Sequence, residues 1–274
     1  MPELPEVESI VRGLEPHLRG RLVRMARLTA PDLYREGSRR IGVITGFRVT
    51  TIDRMGKAIV IHLSRPRRAS SVLVIHLGMT GNLIRAGPSE PAPRRPHRHV
   101  AIRLDDGSRL FYYDPRRFGF VFVSRLEGLR ARLGVGPDPF ELAPDALARV
   151  LAGRRAPVKS LLLNQRLVSG LGNIYADETL FEAGIHPLTP GGRAAIRAES
   201  LLRAARWVLR RALRHGGTTI RDYRRSDGTP GAFQGKLSVY GRTGAPCLRC
   251  GTAIERIPLA GRGTHFCPRC QQRI

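Results

Sequence analysis

Short apolar runs and turn signals alternate through the first 133 positions. Val72-Leu-Val-Ile-His-Leu77, Val100-Ala-Ile-Arg-Leu104 and Phe118-Gly-Phe-Val-Phe-Val123 are rich in β-branched and aromatic side chains, with turn signals such as Asp105-Asp106-Gly107 between them. This pattern predicts strands. Ahead of them, residues 6–18 have the spacing of one amphipathic helix, so this part reads as a β-sandwich or barrel-like domain opened by a helix. The pattern changes around Gly134-Val-Gly-Pro-Asp-Pro139, and from Pro144 to Gly217 apolar residues recur at helical spacing. Leu201, Leu202, Ala205, Val208, Leu209, Ala212 and Leu213 form one stripe, closed by Gly216 and Gly217. Another helix is predicted from Asn173 to about Ala183, with Gly184 as its stop and Pro187 beyond. The segment 134–139, stiffened by prolines and loosened by glycines, predicts a hinge between two lobes, with a cleft for a substrate between them. From Gln234 the chain turns to short strands and glycine turns around its cysteines. The fold class is therefore α+β and multidomain, with divisions at 1–133, 134–233 and 234–274.

Charge narrows the partners. The 274 residues include 47 basic and 22 acidic side chains, a formal charge of +25 with a pI near 11.5, which points to a polyanion. Only three of the 47 are lysines: Lys57, Lys159 and Lys236. Lysine can lose its proton when desolvated and arginine effectively cannot, so the rare lysines are the more informative cations. No run of about twenty apolar residues is present, and the start Met-Pro-Glu-Leu-Pro-Glu lacks the basic and apolar parts of a signal peptide. These features predict a soluble, cytoplasmic protein that does not span a membrane.

All four cysteines lie in the last 28 residues, as Cys247-x-x-Cys250 and Cys267-x-x-Cys270 with sixteen residues between the pairs. That spacing suits a zinc ribbon, in which two tight turns supply four thiolates to one closed, structural Zn2+ site. Two disulfides or unrelated core cysteines are the alternatives. In the zinc reading the metal holds a hairpin that carries Arg256, Arg262 and His265.

Several other residues have both a chemical and an ordinary reading. Removal of Met1 exposes the secondary amine of Pro2, which can attack a sugar C1′ and form an iminium, with Glu3 beside it as a proton donor or acceptor. Read alone, however, a Met-Pro start is usually inert. Lys57 sits at the start of a strand near a turn, either as a solvated edge lysine or as a catalytic or phosphate-contacting group. Met79 and Phe118 read as core residues, and Arg116 as a turn cation beside Pro115. Asn173 reads as a helix N-cap, behind glycines that let phosphate approach the helix terminus. His97 and His99 lie in a basic loop. Ser226-Asp-Gly-Thr-Pro-Gly231 has the polar, glycine-rich character of a mobile loop.

Met1-Pro-Glu-Leu-Pro-Glu-Val7, His76-Leu-Gly-Met-Thr-Gly81, Asp114-Pro-Arg-Arg-Phe-Gly119, Gly170-Leu-Gly-Asn-Ile-Tyr-Ala176, the stretch 234–241 and the cysteine ribbon occur in one order along nearly the whole chain. In this combination the chain resembles the bacterial formamidopyrimidine-DNA glycosylase family. The resemblance implies an N-terminal β-sandwich catalytic domain, a helix-two-turn-helix domain and a zinc finger, gripping duplex DNA. It also implies excision of 8-oxoguanine and ring-opened purines, followed by strand cleavage on both sides of the sugar by β,δ-elimination at oxidised or abasic sites. By the same resemblance the Schiff-base proline is Pro2, the proton-donating glutamate Glu3, the elimination-assisting lysine Lys57 and the zinc-finger arginine Arg262. Met79, Arg116 and Phe118 match the trio that fills the gap left by a flipped nucleotide, where an apolar wedge, a guanidinium and a ring offset the cost of unstacking. His76, His97, Arg116, Arg154 and Asn173 are the implied DNA contacts, with Arg154 standing where the family has a lysine. The loop 226–231 would close over the flipped base. A monomer is expected.

Two other readings compete. An endonuclease VIII-like enzyme for oxidised pyrimidines belongs to the same superfamily; Leu4 and the pattern of Met79, Arg116 and Phe118 favour the purine enzyme. A non-catalytic nucleic-acid-binding zinc-ribbon protein would need the charge and the cysteines, but not an amine at position 2, an acid at 3 or a lysine at 57.

Overall fold

A computed structural model describes residues 1–34 and 40–273. The chain groups into two compact units, Met1–Leu133 with His215–Gln234, and Gly134–Arg214 with Gly235–Ile274. This grouping follows a different line from three consecutive segments. Residues 215–234 belong with the sandwich because Tyr223 is buried in its core, and the cysteine ribbon belongs with the helices.

The first unit opens with helix α1 (Leu4–Leu18). It starts two residues before the predicted position 6, because Glu3 and Glu6 form a capping box and Pro5 is tolerated in the first turn. Among the described residues eight strands follow: β1 (Val23–Leu28), β2 (Arg48–Met55), β3 (Ala58–Arg65), β4 (Arg68–His76), β5 (Asn82–Ala86), β6 (Arg98–Leu104), β7 (Arg109–Tyr113) and β8 (Phe120–Ser124). They make two antiparallel four-stranded sheets, ordered β1-β6-β7-β5 and β2-β3-β4-β8. Ile59, Ile61, Leu73 and Ile75 from one sheet meet Val100, Ile102, Leu110 and Tyr112 from the other, and Val7, Ile10 and Leu14 of α1 complete this core. The far face of the second sheet is also covered. There Ala58, Val60, Val72, Val74 and Phe122 pack with Leu129 of α2 (Leu129–Leu133). A sheet buried on both faces explains the unbroken apolar runs from Ala58 to Ile61 in β3 and from Val72 to Ile75 in β4. The sandwich prediction is borne out, but β8 begins at Phe120, which leaves Phe118 in the preceding loop.

The second unit contains α3 (Pro144–Leu151), α4 (Val158–Leu163), α5 (Asn173–Ala183), the single turn α6 (Gly191–Ala194) and α7 (Ala198–Arg214). The predicted stripe of α7 is buried except for half-buried Leu213. Helix α5 ends at Gly184 in the left-handed region, as predicted. It is buried on nearly every side, including the polar residues Asp177, Glu178 and Thr179. The ribbon contributes the antiparallel hairpin of β9 (Glu255–Leu259) and β10 (Arg262–Phe266). It packs on α5 through Phe181, Val239, Cys247, Ile254 and Cys267. Among the described residues, no helix is long and apolar enough to cross a membrane.

Candidate active site and metal centre

Pro2 and Glu3 are both buried at the start of α1. The Glu3 amide donates to Glu6 Oε2 at 2.8 Å, and Glu6 Oε1 accepts the Thr218 amide at 2.7 Å. The Tyr223 hydroxyl reaches the Glu6 carbonyl oxygen at 3.1 Å. Burial first, and the Glu6 charge next, push its phenol well above the usual tyrosine range, so it stays a donor. The start of α1 is thus held by a carboxylate that sequence reasoning did not single out. Its one signal was the Glu3-x-x-Glu6 spacing of a capping box. Lys57 lies in the turn between β2 and β3 and is 5% exposed, which overturns its reading as a solvated edge lysine.

Met79 and Phe118 are 45% and 53% exposed, so neither is a core residue. The structure brings the trio together: the Arg116 guanidinium carbon lies 4.3 Å from the centre of the Phe118 ring, and its Nη1 lies 3.7 Å from the Met79 sulfur. Close by in sequence to Met79 and Phe118, His76 stacks on Phe120 at 4.8 Å, with its Nδ1 accepting the Gly78 amide. His97 is exposed with a positive φ of 62°, whereas His99 is buried in β6. The loop 226–231 contains a hydrogen-bonded turn, in which Asp227 accepts the amide and hydroxyl of Thr229. The Ser226 carbonyl oxygen also accepts the Arg85 amide at 2.9 Å.

In the second unit, Gly172 is the N-cap of α5 and Asn173 is its first helical residue, which corrects the predicted N-cap role of Asn173. The physical reason is that the Asn173 side chain is used elsewhere. Its Nδ2 donates to the Gly263 carbonyl oxygen at 3.0 Å, next to exposed Arg262. Lys159, fully buried, joins the same place: its Nζ lies 2.7 Å from Thr264 Oγ1 and 2.7 Å from Asp177 Oδ1. Asp177 Oδ2 accepts the His265 amide at 2.9 Å. Glu178 accepts the amides of Ser238, Val239 and Tyr240. Two acids on one helix thereby fix both the hairpin and the segment leading to the ribbon. The backbone amides they accept lie 60 or more residues away in sequence. Arg154 is exposed just past α3, with its Nε on the Val150 carbonyl oxygen at 2.6 Å.

The four cysteine sulfurs lie within 4.8 Å of one another. Cys247 and Cys270 are 3.9 Å apart and Cys250 and Cys267 3.5 Å, too far for disulfide bonds of about 2 Å. They are close to the roughly 3.8 Å edge of a tetrahedron with Zn–S bonds of about 2.3 Å. These thiolates form the site of one structural Zn2+, and with no fifth donor in the cluster among the described residues the site is closed.

A strongly basic chain with an exposed wedge of sulfur, ring and guanidinium, a buried N-terminal proline and a zinc ribbon belongs to the class of zinc-finger DNA repair enzymes. Residues 1–121 match the formamidopyrimidine-DNA glycosylase N-terminal domain, residues 133–224 the H2TH domain of the same enzymes, and residues 244–273 the zinc finger found in FPG and IleRS. The chain belongs to the formamidopyrimidine-DNA glycosylase family, bifunctional DNA glycosylases and lyases that remove oxidised purines. It is 44% identical to the formamidopyrimidine-DNA glycosylase of Chloroflexus aggregans over 277 residues, covering 99% of this chain and 98% of that protein. Among solved structures, the MutM (Fpg) protein of Thermus thermophilus is 41% identical, with full coverage of both chains and a TM-score of 0.85. A mutant of the Lactococcus lactis FPG in complex with a Fapy-dG containing DNA is 34% identical over 99% of this chain and 100% of that one, with a TM-score of 0.88.

Proposed function

We propose that this glycosylase works through the amine of Pro2 once Met1 is removed; while Met1 is attached, that nitrogen is an amide and cannot react. The supporting observation is the buried start of α1, where Glu6 holds the Glu3 amide directly after Pro2. The amine attacks C1′ of the damaged nucleotide, the bond from C1′ to the base breaks, and the base leaves with a proton. Glu3 donates a proton to the sugar ring oxygen as the ring opens to an iminium. Loss of the C2′ proton expels the 3′ phosphate, and a second elimination, assisted by Lys57, removes the C4′ proton and expels the 5′ phosphate. Water then hydrolyses the iminium and frees Pro2.

The substrate is duplex DNA carrying 8-oxoguanine, a formamidopyrimidine or an abasic site, bound by a monomer in the cytoplasm. Met79, Arg116 and Phe118 fill the gap left by the flipped nucleotide, and the guanidinium supplies donors for the orphaned cytosine. His76, His97, Arg154, Asn173 and Arg262 contact the backbone, where they position the enzyme without reading sequence. The segments 1–133, 134–233 and 234–274 then serve as the catalytic, helix-two-turn-helix and zinc-finger parts.

Borohydride trapping on lesion-containing duplex, followed by peptide mapping, tests the nucleophile. The expected result is a covalent adduct mapped to residue 2 of the processed wild type, and its loss in Pro2→Gly. An adduct on another residue, or none with wild type, overturns the reading; no adduct at all would favour a binding module. Preferred excision of thymine glycol over 8-oxoguanine would favour the pyrimidine enzyme.

A further inference from the structure

We infer that Asp114 is a positioning residue for recognition of the base opposite the lesion, because its buried carboxylate locks the loop bearing Met79 to the loop bearing Arg116 and Phe118. This rests on the gap-filling reading of those three residues. Asp114 is fully buried, and its two carboxylate oxygens are divided between the loops. Oδ1 accepts the Thr80 hydroxyl at 2.6 Å, one residue from Met79. Oδ2 accepts the Gly119 amide at 2.9 Å, one residue from Phe118, and the Tyr112 hydroxyl at 3.0 Å. Burial and the nearby Asp114 charge push the Tyr112 phenol up, so it remains a donor to this carboxylate.

The backbone of Asp114 extends the same hub. Its amide donates to the His97 carbonyl oxygen at 3.1 Å, and its carbonyl oxygen accepts the Arg117 amide at 3.3 Å and lies 2.9 Å from His99 Nε2. His97 and Arg117 both have a positive φ, of 62° and 51°. Such conformations persist in non-glycine residues when the surroundings hold them, and here the holder is one acid between them. The two wedge loops also touch backbone to backbone. A Cβ on Gly78 would stand 2.4 Å from the Gly119 nitrogen, and one on Gly119 would stand 1.9 Å from the Tyr112 hydroxyl oxygen.

Among the described residues, the side chains of the trio meet one another in exposed contacts. Exposed cation–π and sulfur contacts are weak, so the positions of Met79, Arg116 and Phe118 are set from below. Base discrimination requires the guanidinium to be in place when the orphaned base presents its edge, and small misplacements are expensive in rate. Releasing the anchor should therefore blur discrimination between opposite bases more than it slows excision in general.

The test compares kcat/KM for 8-oxoguanine opposite cytosine and opposite adenine in wild type, Asp114→Asn, Thr80→Val and Arg116→Ala. The cytosine preference should fall roughly tenfold in Asp114→Asn and about threefold in Thr80→Val. Thr80→Val removes one hydrogen bond and keeps the buried acid, so it decides the matter if Asp114→Asn does not fold. An unchanged ratio, including an equal loss on both substrates, overturns the proposal, because a merely structural role would lower both rates together. If Arg116→Ala alone shifts the ratio, Asp114 is not the positioning residue. If Arg116→Ala leaves the ratio unchanged, the gap-filling reading fails and the proposal fails with it.

Discussion

At the scale of single residues, burial sets two of the three lysines apart from the solvent-facing cations. Lys57 is 5% exposed and Lys159 fully buried, whereas Lys236 is exposed. An amine that assists elimination must be able to give up its proton, and an arginine in the same place cannot. Replacing Lys57 with Arg should therefore fail to restore the second elimination, with the ratio of doubly to singly cleaved product falling roughly a hundredfold, as for loss of a general acid or base. Denaturing gels of end-labelled abasic duplex would read that ratio, and a near-normal ratio in Lys57→Arg would argue for simple phosphate contact. Lys57 was legible in the sequence because a chain written in arginine makes a lysine stand out. Glu6 and Asp114 were not legible, because their meaning lies in Thr218, 212 residues away, and in Thr80, 34 residues away. Met79 and Phe118 look like core residues by composition, and only the observation that β8 starts after Phe118 puts that ring in a surface loop.

Among the elements, α5 concentrates the structural polar chemistry of the second unit. Lys159 and Asp177 form an ion pair with both side chains fully buried, and removing one partner leaves the other charged in a dry place. Lys159→Met should therefore cost about 3–5 kcal/mol, read as a lower denaturant midpoint. Lys159→Met with Asp177→Asn should recover part of that loss, since asparagine still accepts the His265 amide and carries no charge. If the double variant is as unstable as the sum of the singles, charge burial is not the cause. The limits of α5 were readable, because Gly184 stops the helix and the two glycines before Asn173 open it. The residue that caps it was not, since the Asn173 amide is drawn to Gly263 on a hairpin 90 residues away. The return of residues 215–234 to the sandwich was also hidden. Nothing local marks Tyr223 as a core side chain until the hydrogen bonds to Glu6 and Gly216 are seen.

For the molecule as a whole, metal and charge set the terms of binding. The ribbon buries few apolar residues of its own and packs on α5 through Phe181, Val239 and Ile254 along with two of its cysteines. Stripping the metal with a thiol reagent should release one Zn2+ per chain, unravel β9 and β10, and weaken binding to duplex DNA, while the sandwich core, which contains no cysteine, keeps its circular dichroism. Undiminished affinity after complete zinc release would show that the hairpin does not contribute to DNA binding. The cysteine spacing made this module the most readable part of the chain, because four thiolates at two tight turns admit few other geometries. The near absence of lysine from the surface has a consequence of another kind. Among the described residues, Lys236 is the one exposed ε-amine in a chain with 47 basic side chains. Lysine acetylation, which removes a positive charge, therefore has almost nothing to act on, and the arginine charge that attracts nucleic acid lies beyond its reach.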